Sequence, residues 1–180
     1  TDYERVARSV GLDPFRMLRM AKLSAKVLDD PNLMISADSV GWLLEESARL
    51  SGQEAFGLLL AETRSLANLG MLALLIREEP TLRAALQSCI RYMRLHNAGV
   101  QLRLDDPGDV VLLHVGMNVQ GHGVWRQSIE QSTAIGLRTL RMLTRNTFRP
   151  VRVTFTHERP ASLEVHRRVH EAGLRSSATM

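Results

Sequence analysis

The spacing of apolar and polar positions is helical up to about Ala98-Gly99, where it changes period. Asp2 to Val10 reads as a short helix closed by Gly11, since glycine is the usual residue just past a helix end. Asp13-Pro14 starts a second helix with an acidic N-cap and a proline in the first turn, and Phe15, Met17 and Leu18 point inward. Ser24 caps a third, ending at Leu28, and "DDPNLMIS" is a connection. In "SADSVGWLLEESARLSG", capped by Ser36 or Asp38 and closed by Gly52, residues Val40, Leu43, Leu44, Ser47 and Leu50 share one face. Gln53 to Ala61 gives another helix around Phe56, Leu59 and Leu60. Leu66 to Ile76 is apolar nearly all round, which predicts a central, buried helix. Pro80-Thr81 opens the next, with Leu82, Leu86, Cys89, Ile90 and Met93 as its inner stripe.

Past Gly99, "VQLRL" alternates, "DDPGD" is a turn, and "VVLLHVGM" is rich in β-branched residues, which together predict a hairpin. "NVQGHG" breaks it. Val124 to Arg145 is a long helix with Ile129, Thr133, Ile135 or Gly136, Leu140 and Leu143 inward. After Pro150, "VRVTFTH" alternates as a third strand, reached by crossing back from the hairpin through the long helix; Pro160 opens a last helix before a Ser-rich tail. Helices at the front and strands late predict an α+β fold: an N-terminal layer of about six helices, then a β-hairpin, a long helix and a further strand forming a small sheet packed on helices. The expected division is a regulatory domain over residues 1–165 and a tail over 166–180.

At 180 residues and 44% hydrophobic content, the chain can bury one sizeable core. No apolar run approaches the roughly 18–20 residues that span a bilayer, and "TDYERVARSVGLD" lacks a signal peptide's apolar centre. The expectation is a cytoplasmic domain without a membrane partner. The single cysteine, Cys89, excludes an internal disulfide and fits a reducing compartment. Its apolar helix makes a buried, inert thiol the plain reading. The formal net charge of +4 is scattered. Arg138, Arg141 and Arg145 form one helical stripe, expected to face water.

Catalytic signatures are lacking. There is no Gly-x-Ser-x-Gly, and Gly121 to Gly123 is too short to cradle a phosphate. Glu45-Glu46, Glu78-Glu79 and Asp105-Asp106 read as solvated pairs. Of the six histidines, only His166 and His170 stand at i, i+4. "HRRVH" lacks the glutamate of a hydrolytic zinc helix, so both are expected to be exposed at a helix end. No enzyme, metal or cofactor is expected. Binding residues are sought among side chains with polar handles, which often line small-molecule cavities. Tyr92 and His96, at i, i+4, can bring their rings together; Trp125 opens the long helix; His114 is either a satisfied sheet histidine or a polar group in a ligand cavity. These four are the candidate ligand-binding residues, in a pocket between the helical layer and the sheet.

The ordered segments "GLDPFRMLRMAKL", "LDDPNLMIS", "ARLSGQEAFGLLLAE", "LGMLALLIREEPTLRAALQSCIRYMRLHNAG", the hairpin and "TFRPVRVTFTHERPA" cover about residues 5–165. In that order and spacing, the chain resembles the N-terminal effector domain of arabinose-regulator (AraC/XylS) transcription factors, in the branch of ornithine-utilisation regulators. One departure is Lys22, where the family carries glycine in an early Ala-Gly-Leu. The resemblance implies a domain that binds a small metabolite and reports it, often through a homodimer, to an attached helix-turn-helix that contacts DNA. The tail "LEVHRRVHEAGLRSSATM" is similar to the first half of such a motif. A ligand-free interaction domain and a haem- or metal-type sensor are the alternatives.

Overall fold

The computed structural model describes residues 2–30, 33–118, 125–170 and 173–176. Among them are eight α-helices and two short sheets. Helix α1 (Asp2–Ser9) ends at Gly11, whose φ of +80° is the left-handed turn that glycine takes without strain. Helix α2 (Pro14–Met20) starts as its sequence dictates: Asp13 accepts hydrogen bonds from the Phe15 and Arg16 amides. A 3-10 turn follows at Ala25–Leu28, capped by Ser24. Helix α3 (Ala37–Ser51) is capped by Ser36 and closed by Gly52. Helix α4 (Phe56–Glu62) starts later than Gln53.

The first core joins these elements: Tyr3, Val6, Met17, Leu18, Leu43, Leu44, Phe56 and Leu60 are buried together. Tyr3 Oη and Ser47 Oγ lie 3.0 Å apart, and Ser47 Oγ donates to the Leu43 carbonyl at 2.7 Å, so the polar atoms in this core are satisfied.

The apolar run from Leu66 does not make one central helix. A 3-10 turn at Leu66–Leu69 and helix α5 (Met71–Arg77) meet at Gly70, whose φ is +53°. Leu72, Ala73 and Ile76 of α5 pack against helix α6 (Leu82–His96), with Ala85 at the centre and Cys89, Tyr92 and Met93 beside it. The opposite face of α5 is open: Met71 is 73% and Leu74 55% exposed. An all-apolar helix is buried only if other layers cover both faces, and here one face is covered.

The hairpin is β1 (Val100–Asp105) with β2 (Leu112–Met117), antiparallel, Arg103 opposite His114. It packs between α6 and the long helix α7 (Arg126–Leu143). The α+β class holds, with a small sheet on helices. The strand after α7, β3 (Arg152–Phe155), does not return to the hairpin. It pairs in parallel with β4 (Gly173–Ser176), reached through helix α8 (Glu164–His170). Two positions allow little besides glycine. A Cβ built on Gly57 would stand 2.2 Å from the Gln127 carbonyl oxygen, and one on Gly41 would enter the Trp125 ring. Through these two contacts α7 lies directly on α4 and α3. The Gly121–Gly123 turn and the end of the Ser-rich tail lie outside the described residues.

Candidate functional site

The expected pocket between the helical layer and the sheet corresponds to a cleft of about 490 Å³ between α6 and the hairpin. That volume lies within the range of small-molecule sites. Ile90, Met93, Val100, Leu102 and Val115 supply apolar surface; Arg94, Gln101, Arg103 and His114 supply the polar groups. Helical spacing places Ile90, Met93 and Arg94 on one side of α6, and both strands add residues from opposite them. His114 Nε2 stands 3.0 Å from Asp105 Oδ2, and Arg103 donates to Asp105 Oδ1 at 2.9 Å. One carboxylate therefore orients two of the cleft's polar side chains.

The four candidate residues do not converge. Of them only His114 lines this cleft. Tyr92 is half-buried in the α5–α6 cluster, and His96 is exposed at the end of α6. Neither ring touches the other among the described ring contacts. Trp125 lies against Gly41 of α3 and is not among the residues that line the cleft. Periodicity puts rings on a face but does not say which neighbour that face meets. Cys89 is half-buried, and burial pushes its thiol up to about 11, which matches the inert reading.

A second polar cluster lies outside the four candidate residues. Glu130, fully buried in α7, receives three basic groups at one oxygen: Arg126 Nε at 3.0 Å, His166 Nε2 at 3.0 Å and His157 Nε2 at 3.2 Å from Oε1. Burial alone would raise the carboxyl's pKa, but His157, His166 and Arg126 outweigh it and hold it at about 2. His157 is also desolvated, yet Glu130 and the Glu158 carbonyl raise its pKa above the ordinary imidazole value. His170 goes the other way: burial, then repulsion from His166 and Arg141, push it down to about 4 against the pull of Glu130.

His166 and His170 are thus 1% and 0% exposed, not the exposed pair that their place near a helix end suggests. They pack around Phe155, with ring centroids 6.4 and 5.6 Å from it. The Arg138/Arg141/Arg145 stripe is likewise not simply solvated. Arg141 donates to the Val169 and His170 carbonyls at 3.0 and 2.5 Å, closing the C-terminal end of α8. Residue 166 therefore sits in the middle of a helix fixed to the domain by buried groups, and the expected boundary at 165/166 cuts through α8. The signal was present: Glu130, Ala134 and Leu137 stand at i, i+4, i+7, so a carboxylate occupies an apolar stripe. Among the described residues no group of three or more His, Cys, Asp or Glu side chains is arranged to hold a metal ion. The Arg126 guanidinium already occupies the cationic position at Glu130.

A family model described as the arabinose-binding domain of AraC transcription regulators, N-terminal, matches residues 11–179. The chain belongs to this AraC-type domain family. The AraC-type match spans the α6–hairpin cleft, the Glu130 cluster and the whole of α8, and it marks a ligand-binding regulatory domain and not an enzyme family. No curated protein matches the chain. No helix among the described residues is long and apolar enough to cross a membrane.

Proposed function

We propose that this AraC-type domain binds a small-molecule effector in the α6–hairpin cleft and passes the binding event through α7 to α8. The cleft carries the reading, because it combines a volume of about 490 Å³ with apolar walls and the oriented His114 and Arg103 side chains. Helix α7 packs on β2 at one side and holds α8 through Glu130 at the other. A ligand shifts a regulator only by binding its two states with different affinity, and wedging the hairpin from α6 gives the states different contacts with α7. The regulated unit is a helix-turn-helix DNA-binding domain, in a cytoplasmic regulator of the ornithine-utilisation type. No step requires a cofactor. The open apolar face of α5 supports self-association as the accompanying property, with a second copy covering Met71 and Leu74.

The test is thermal unfolding of the domain against a metabolite panel. A hundredfold excess over Kd should stabilise it by about 2.7 kcal/mol. Gly116→Phe provides the control, because Gly116 lines the cleft and a Cβ there meets no atom within 4 Å. A panel without any stabiliser, together with a promoter that the full-length regulator controls regardless of metabolites, would refute the proposal.

A further inference from the structure

We infer that the α6–hairpin cleft takes a monocarboxylate on an apolar body, with Arg94 as its counter-charge. The inference rests on the cleft being the effector site and adds the chemical class of the effector.

The charge of the lining is one-sided. Arg94 and Arg103 both line the cleft, and no Asp or Glu does. Asp105, behind the lining, is shared between Arg103 and His114 at 2.9 and 3.0 Å, so it offsets one positive charge. Arg94 has no ion pair or side-chain hydrogen bond among the described residues. The sum is close to one uncompensated positive charge. A monoanion balances that charge, whereas a phosphate dianion exceeds it. A cationic ligand would meet two guanidinium groups and no acid, and a desolvated, unpaired charge is costly. Arginine suits a carboxylate further because its planar fork can donate two parallel hydrogen bonds.

The rest of the cleft sets the body of the ligand. Ile90, Met93, Val100, Leu102 and Val115 supply the aliphatic part of the lining, and Gln101 its one amide. A polyhydroxylated sugar would bury hydroxyls against that surface with few partners, at a cost for each unpaired group. An aliphatic or aromatic chain loses nothing there. Arg94 also lies in the last turn of α6, where the negative helix end favours any cation. That role predicts an effect on the empty domain, and the anion role predicts an effect on binding.

The experiment is calorimetric titration of sodium octanoate, octylamine and arabinose into the domain and into Arg94→Gln and Gly116→Phe variants, with unfolding of each unliganded protein. Saturable octanoate binding is expected, at least about tenfold weaker in Arg94→Gln and lost in Gly116→Phe, with both empty variants unfolding near the wild-type temperature. Octylamine and arabinose should not bind. Octylamine or arabinose binding that Gly116→Phe removes would overturn the carboxylate assignment and leave the cleft as the effector site. Octanoate binding undiminished in Gly116→Phe would overturn the cleft itself. Lack of octanoate binding up to millimolar concentration, or equal binding by Arg94→Gln, would overturn Arg94 as the counter-charge.

Discussion

Lys22 holds a backbone conformation suited to another residue. Its φ is +57°, and the hydrogen bonds Lys22 N to Arg19 O and Leu23 N to Leu18 O form the two-bond closure that ends a helix with a left-handed residue. A Cβ-bearing residue in that region is strained by about 1–2 kcal/mol. Replacing Lys22 by glycine should therefore stabilise the domain by about 1 kcal/mol after the added chain entropy, which corresponds to about 2–4 °C for this size. Thermal unfolding that is unchanged or lowered in Lys22→Gly would show that the turn is not strained. The titrating residues give a second prediction. His170 has its folded pKa at about 4, below the ordinary value of 6.5, so the unfolded chain takes up the proton first as pH falls. Its contribution is present above pH 6.5 and is lost between about 6.5 and 4, by roughly 3 kcal/mol at most. His157 has the opposite sign: its raised pKa stabilises below pH 6.5 and that stability is lost as pH rises through the folded value. Urea unfolding from pH 4.5 to 7.5 should show the acid decline shallower in His170→Gln, and an identical decline would exclude His170 as its source. Glu130→Gln strips the partner from buried basic groups and should cost about 3–5 kcal/mol at pH 7.

At the scale of elements, the domain depends on how closely its helices approach. Gly57 lets α4 touch the α7 backbone, and its amide donates to Gln127 Oε1 at 2.7 Å. Gly57→Ala places a methyl group where Gln127 oxygen stands, so the seam must open, at a cost of about 1–3 kcal/mol or more. Denaturant unfolding of this variant measures it directly; wild-type stability would mean that α4 and α7 separate freely. Much of the element order was legible, because caps and periods are local properties. Asp13, Ser24, Ser36, Thr81 and Gly52 start or stop helices as their chemistry dictates. Partners were less legible. The Leu66 to Ile76 run is as apolar as a central helix but lies at an edge, and nothing in its own spacing records that Gly70 turns the chain. The partner of β3 likewise depends on contacts across the chain, not on its own alternation. The site shows the same division. Alternation puts His114 on a strand, where it lines the cleft, whereas Glu130, His157 and His166 meet only after separate segments assemble.

In the whole molecule, one helix, α7, joins two places. The cleft lies between α6 and the hairpin, α7 touches the hairpin, and Glu130 and Arg141 on α7 hold α8. The open α5 face is the surface proposed for self-association. Met71→Glu with Leu74→Glu should leave folding intact and shift a self-associated domain to monomer in light scattering after gel filtration. The same oligomeric state in both proteins would place the interface elsewhere. Effector binding in the α6–hairpin cleft can be followed in the backbone amide spectrum of the labelled domain during titration with a stabilising metabolite. The largest shifts are expected at Ile90, Met93, Arg94, Gln101 and Val115, with none in Gly116→Phe. Shifts confined to α1–α4, or unchanged in Gly116→Phe, would contradict it.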